Sequence, residues 1–382
     1  MNVRGGEGLS TEAQAELTKP RALNRAAHLP PNLGVRQPHQ RLLGQILAPV
    51  IAAHDGGGAA DDLADLTHGQ DVQVLVDHHQ LRPRRGLADG GRPASPPAPG
   101  QGSDATMSYQ APIRDLAFCL EHIIGANRLA ETELFADATE ETRAAILDEA
   151  GKLAASVLAP TNRNGDLTPA RLENGVVRAS PGFADAYRQI AEGGWVGLAA
   201  GTEHGGMGLP LTLGTAVGEM FASANLGLSL CPLLSQGQIE ALEAHASDEI
   251  KALYLPKLIS GEWTGTMNLT EPQAGSDVGA LASRAEPKGD GTYAVSGQKI
   301  YISWGDHDIA ENVCHLVLAR LPDAAPGTRG LSLFLVPKFI PDADGKPGVA
   351  NALKVVSLEH KMGLHGSPTA VMSFEGFEIL LP

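Results

Sequence analysis

The sequence predicts an α+β multidomain chain. A helical domain over residues 107–265 precedes a small antiparallel β-barrel or sandwich over 266–376, and both follow an N-terminal extension of residues 1–106. Three observations carry this reading. All aromatic residues lie at or after Tyr109. From there to about Gly261, apolar residues recur every three or four positions. Beyond Gly261, short β-branched runs alternate with clusters of Pro, Gly and Asp.

The extension comes first. Residues 1–106 hold 14 Gly, 10 Pro and a single Lys, and no ring larger than His. A core built from them would lack large apolar groups. The stretch Arg82–Thr106 (RPRRGLADGGRPASPPAPGQGSDAT) is too rich in Pro and Gly for regular structure. A flexible extension or a non-native leader ahead of a natural start at Met107 is expected. With 11 acids against 10 bases it does not read as a transit peptide. His68, His78 and His79 form no metal-ligand pattern and read as solvated.

Among the helices, Thr139–Leu158 is the clearest. Ile146, Ala150, Leu153 and Val157 draw one apolar stripe, Thr139 can cap it, and Pro160 is expected to stop it. Further helices are expected at Phe183–Ala191, Leu211–Ala222, Gln236–His245 and Asp248–Ser260. The Gly-rich piece Trp195–Pro210 reads as a loop in which His204 is solvated. In the β half, Thr292–Ser303 reads as two short runs around a Ser296-Gly297 turn. His315–Leu321, Leu331–Phe339 and Ala370–Phe374 are further strands, separated by turns at Pro322–Gly330 and Pro341–Gly348.

The formal charge of −15 argues against a nucleic-acid partner, which would call for basic clusters. No uninterrupted apolar run approaches the ~18 residues of a membrane span. The three cysteines, Cys119, Cys231 and Cys314, are far apart and form no CxxC pair. Reduced thiols in a cytoplasmic protein are the simplest expectation, and no metal site is expected.

Three stretches can carry chemistry. Met267–Asp277 (MNLTEPQAGSD) offers the Thr270 hydroxyl, then Ala274-Gly275-Ser276. Those residues can present consecutive backbone N–H groups as an anion-binding nest, with Ser276 adding a donor. The same residues also fit a capping box, Thr270-x-x-Gln273, followed by an ordinary turn. Gln298–Asp308 (QKIYISWGDHD) places Tyr301 and Ser303 on one face of a strand. A ring beside a hydroxyl suits a flat heteroaromatic partner, and equally a half-buried Tyr of a barrel. Trp304 and Asp306 read as closing the turn. Glu359–Thr369 (EHKMGLHGSPT) combines cations, Gly and hydroxyls in a strand-connecting loop.

In this order the stretches resemble the acyl-CoA dehydrogenase family. LTEPQAGSD matches its most specific signature and GQKIYIS the strand that flanks its flavin. KMGLHGSPT with SFEG matches the end of its β domain, and YLPKLISGEWTGTMNLTEP the helical lead-in. The opening MSYQAPIRDLAFCLEHIIG is similar to the longer members, including those described as 3-methylmercaptopropionyl-CoA dehydrogenases.

The resemblance implies a helical domain, a β domain and a C-terminal four-helix bundle, with FAD between the last two. Met267, Leu269 and Thr270 would line the flavin. Gly275 and Ser276 would serve the FAD pyrophosphate, with Ser276 also near the CoA chain. Tyr301 would pack on the isoalloxazine, and Ser303 would hydrogen-bond near N5. Met267 and Tyr301 stand where other members often carry an aromatic residue and a Trp. The implied reaction is α,β-dehydrogenation of an acyl-CoA thioester. A carboxylate takes the α-proton while the β-hydride moves to flavin N5, and electrons leave to an electron-transfer flavoprotein.

The family's base is a Glu of the bundle, expected beyond Pro382, so Glu271 and Asp277 are not assigned that role. Residues 377–382 read as a stub of a missing domain. The chain is therefore expected to be a truncated member with little activity alone, and a homo-oligomer when full length. An acyl-CoA oxidase, a DNA-associated alkylation-response flavoprotein and a non-catalytic fragment are the competing readings. The acyl chain length is not legible.

Overall fold

The computed structural model describes residues 109–377. The extension, its histidines, the start at Met107 and the C-terminal stub lie outside the described residues or at their edge.

The helical half opens with α1 (Ile113–Phe118), which runs into a π-helical turn at Cys119–Ile124, and a short α2 (Asn127–Ala130). Helix α3 (Glu140–Leu153) begins where the sequence places it: the Thr139 hydroxyl accepts a hydrogen bond from the Thr142 N–H. Its buried line is rotated by one residue from the predicted stripe. Arg143, Leu147, Ala150, Ala154 and Leu158 are buried, while Ile146, Leu153 and Val157 are only half-buried. Arg143 is accommodated there by donating to the Ala138 carbonyl (2.7 Å) and to Asn127.

Pro160 does not stop the helix. A π-turn over Ala154–Leu158 absorbs it and the chain continues as α4 (Ala159–Leu167), where Pro sits in the first turn and its missing N–H costs no ladder bond. A hairpin that the sequence reading lacks follows, β1 (Arg171–Glu173) and β2 (Val176–Arg178), with Asn174 and Gly175 at positive φ. Helix α5 (Phe183–Glu192) matches its prediction, and the Gly-rich stretch after it is a loop with one 3₁₀ turn at Thr202–His204.

The two helices predicted at 211–222 and 236–245 are one 35-residue element, α6 (Leu211–His245). It kinks at Asn225 (φ −155°, ψ 88°). The Asn225 side chain repairs the break: Oδ1 accepts from the Leu228 N–H (3.0 Å) and Nδ2 donates to the Thr161 hydroxyl (2.9 Å). Over 18 residues α6 is apolar enough to cross a bilayer by length and composition, but more than half of that stretch is buried inside this fold. Helix α7 (Asp248–Ile259), capped by Ser247, closes the half.

The β half contains β3 (Trp263–Asn268), β4 (Arg284–Pro287), β5 (Tyr293–Ser303), β6 (Asn312–Arg320), β7 (Leu331–Pro337), β8 (Phe339–Pro341), β9 (Pro347–Ala350), β10 (Leu353–Leu358) and β11 (Thr369–Phe377). A seven-stranded sheet runs β10-β11-β5-β4-β6-β3, with β7 also on β6, and β8 and β9 form a separate ribbon. The sheet is mixed, not antiparallel. Strand β3 pairs parallel with β6 from Trp263↔Asn312 to Asn268↔Val317, and β4 meets β6 in parallel at Arg284↔Arg320. The long return through β4 and β5 supplies the crossover that a parallel pair requires. The boundary predicted between residues 265 and 266 falls inside β3. The core gathers Val295, Ile302, Val317, Phe334, Ala370, Met372 and Phe374.

No turn occurs at Ser296-Gly297, since β5 is a single 11-residue strand. Gly297 marks a close approach instead. Its φ is 142°, and a Cβ there would stand 2.3 Å from the Ser283 hydroxyl.

Candidate functional site

The segment after β3 folds back beside the end of β5, and three hydrogen bonds fix the alignment. The Thr266 hydroxyl donates to the Ser303 carbonyl (2.7 Å), Lys299 Nζ to the Leu269 carbonyl (3.0 Å), and the Ile300 N–H to the Thr270 carbonyl (2.9 Å). Met267, Leu269 and Thr270, all half-buried, are thereby brought alongside Tyr301 and Ser303.

Beyond Thr270 the chain turns tightly. Glu271 and Ala274 exchange both backbone hydrogen bonds at 3.0 Å. This two-residue hairpin excludes the capping box, because no helix starts at Thr270; Gln273 instead donates to Glu271 Oε2 (2.6 Å). Glu271 is buried. It accepts from the N–H groups of Ala282 (2.7 Å) and Ser283 (3.0 Å) and pairs with the fully buried Lys299 (2.8 Å). Burial alone would raise its pKa, but the Ala282 N–H and the Lys299 ammonium bring it down to about 2. Glu271 is thus an ionised strut.

Arg320 clamps the far side of the same loop, donating to the carbonyls of Leu281 (3.0 Å) and Gly279. The result is a loop held at both ends with an exposed tip, Gly275-Ser276-Asp277. The tip is not the left-handed nest expected from the sequence: Gly275 is not among the residues with positive φ. The glycine leaves an open flank, since a Cβ there would meet nothing within 4 Å.

Strand β5 ends in an irregularity that the sequence does not announce. Ser303 pairs with Thr369 and Ile302 with Ala370, but Lys299 pairs with Met372, so Ile300 and Tyr301 together oppose Val371. Tyr301 occupies this bulge with φ 59°, and its ring is 54% exposed. Ser303 is half-buried. The loop after β10 enters β11 at Thr369, directly opposite Ser303. It docks on the helical half through the His365–Asp166 contact (3.1 Å) and the Ala170 N–H to His365 carbonyl bond.

Residues 139–262 match the N-terminal domain of acyl-CoA dehydrogenase, and residues 266–377 match the middle domain. The chain belongs to the acyl-CoA dehydrogenase family. The homologues are FAD-dependent oxidoreductases of acyl-CoA metabolism. The chain is 48% identical over 269 residues to the 3-methylmercaptopropionyl-CoA dehydrogenase of Ruegeria pomeroyi, covering 70% of this chain and 46% of that protein. It is 37% identical over 275 residues to a butyryl-CoA dehydrogenase of Syntrophomonas wolfei, covering 71% and 45%. A solved structure described for the electron transferring flavoprotein of Acidaminococcus fermentans matches with a TM-score of 0.50 at 27% identity, covering 62% of this chain and 56% of that one. The chain spans less than half the length of these two curated dehydrogenases.

The residues present fit FAD. An exposed aromatic ring stands at Tyr301. The hydroxyls of Thr270, Ser276 and Ser303 make no hydrogen bond among the described residues, and the open flank of Gly275 admits a bulky group. Two contributors escaped the sequence reading, Thr266 and Lys299. Each acts on the backbone of a site segment, and no motif marks that kind of support.

Proposed function

We propose that this chain holds the FAD site of a dehydrogenase that introduces an α,β double bond into an acyl-CoA thioester and passes electrons to an electron-transfer flavoprotein. One observation carries the reading: the three hydrogen bonds that set 266–270 against 299–303 gather the predicted flavin-lining residues on one strand end. Bound FAD would supply the acceptor for the hydrogen leaving the β-carbon.

The chain's own residues bind and orient. Tyr301 offers a ring face, and Met267 and Leu269 an apolar border. The Ser303 and Thr270 hydroxyls serve as donors, and Ser276 with the Gly275 backbone meets a phosphate and the CoA chain. Because Glu271 is tied to Lys299 and two backbone N–H groups, it is unsuited to taking a proton from substrate, and the base is assigned to no described residue. The name of the Ruegeria relative supports 3-methylmercaptopropionyl-CoA as the first substrate to assay, and the Acidaminococcus match supports the electron-transfer flavoprotein as acceptor.

The test adds FAD to the purified chain and follows quenching of flavin fluorescence, then adds 3-methylmercaptopropionyl-CoA or butyryl-CoA. A saturable shift of the bound flavin's absorbance or fluorescence on adding an acyl-CoA supports the reading, and bleaching is not required because no described residue is the base. Saturable flavin binding with no response to any acyl-CoA would reject the substrate class.

A further inference from the structure

Two of the three non-glycine residues with positive φ among the described residues, Tyr301 (59°) and Trp304 (53°), bracket Ser303; the third lies in the ordinary β1–β2 turn. Left-handed backbone is unfavourable for a β-substituted aromatic residue and persists only where its surroundings hold it. Trp304 shows what holds it here. It is 1% exposed, and its indole N–H donates to the Gly227 carbonyl of α6 (3.0 Å), two residues past the Asn225 kink. Its ring stacks on Phe183 of α5 (centroids 6.4 Å, 22° between planes) and meets His307 edge-on (5.4 Å).

The ring's partner Phe183 is close-packed, and Gly227 lies in ordinary contact with the 359–368 loop. A Cβ on Gly366 would stand 2.8 Å from Phe183 and 2.8 Å from the Gly165 backbone, and a Cβ on Gly227 would stand 3.6 Å from the Ser367 N–H nitrogen. The turn after Trp304 is packed as tightly, because a Cβ on Gly305 would lie 2.9 Å from Ala370. The helical half and the end of β5 thus meet at this indole, and the 359–368 loop packs against its partners Phe183 and Gly227.

We infer that Trp304 is the positioning residue of the candidate flavin site. It fixes the strand end that presents the Tyr301 ring and the Ser303 hydroxyl by bonding the turn to the kinked segment of α6. The inference rests on the FAD reading above and adds a residue that contacts neither ring nor phosphate in that reading.

The test compares wild type, Trp304→Phe and Trp263→Phe. Phenylalanine at 304 keeps a ring against Phe183 but removes the donor to Gly227. Trp263 is a control, a buried indole against Tyr254 whose N–H has no partner among the described residues. Hydrogen–deuterium exchange of the flavin-free chain is expected to rise over residues 297–306 in Trp304→Phe and to stay at the wild-type level there in Trp263→Phe. FAD affinity should fall about tenfold in Trp304→Phe, the size of one lost buried hydrogen bond, and hold within about twofold in the control. Unchanged exchange over 297–306 in Trp304→Phe, or equal loss of affinity in both variants, would overturn the inference. Failure of the wild type itself to take FAD, with exchange behaving as expected, would instead remove the flavin reading and leave Trp304 a packing residue.

Discussion

At the residue scale, the buried Glu271–Lys299 pair decides whether the loop tip is held. Both side chains are out of water, so each needs the other. Lys299→Met leaves a carboxylate buried beside two backbone donors and should cost about 3–5 kcal/mol in urea unfolding. The double variant Glu271→Leu with Lys299→Met should recover much of that, because no lone charge remains.

Acid lability follows from two buried histidines together with Glu271. Burial, and then the charge of Lys338, hold His307 and His315 down to about 3. His307 is neutral in a bonded chain: Nδ1 accepts from the Ile309 N–H, and Nε2 donates to the Thr264 hydroxyl, which donates to the Asn312 carbonyl. Below about pH 6.5 the unfolded chain binds protons that these folded rings refuse. Stability is therefore complete above that pH and falls progressively toward pH 3. Glu271, lowered to about 2, adds stability that is present above about pH 4.3 and lost as pH falls toward 2. The signs agree. The urea midpoint should drop from pH 7 to pH 4, and His315→Gln should flatten the upper part of that slope.

At the element scale, prolines and glycines explain most departures from the sequence reading. Pro160 reads as a stop, yet it lies within a helical stretch at the start of α4 after a π-turn, and Pro232 sits inside α6 downstream of the Asn225 kink. Periodicity gives the existence of α3, α5 and α7 correctly, because α3 and α7 carry side-chain caps at Thr139 and Ser247 and α5 buries Phe183, Ala186, Tyr187 and Ile190 along one face. It misplaces the buried line of α3 because Arg143, which an apolar pattern passes over, is buried through its hydrogen bonds to Ala138 and Asn127 and starts the line through Leu147. Gly297 looks like a hairpin turn because a Gly between β-branched runs also marks close backbone approach. That distinction is testable. Gly297→Ala should destabilise the chain by about 1–3 kcal/mol, through positive φ and collision with Ser283, whereas a mobile hairpin turn would tolerate it. Asn225→Ala should cost about 1–3 kcal/mol, since the Leu228 N–H loses its acceptor inside a buried segment.

At the scale of the whole molecule, β3 joins the two halves. It leaves α7, lies against α6 and enters the sheet beside β6, so the segment Met267–Thr270 emerges where both halves meet. The succession of a helical half and a β half was legible in composition and periodicity, and the candidate residues Met267, Leu269, Thr270, Tyr301 and Ser303 fall in two recognisable motifs that the fold sets side by side. The parallel pairing was hidden because it depends on which strand the chain returns to, and the Tyr301 bulge because it is a property of register. The tie from Trp304 to Gly227 spans 77 residues of sequence and leaves no local trace.

The most direct test of the central claim is an equilibrium titration of the purified chain with FAD, read by flavin fluorescence and visible absorbance, for wild type and for Ser303→Ala. A saturable complex of one FAD per chain, weakened about tenfold by loss of the Ser303 hydroxyl, is the predicted result. A chain that takes no FAD at saturating concentration, or one whose FAD affinity is the same without Ser303, would contradict the account.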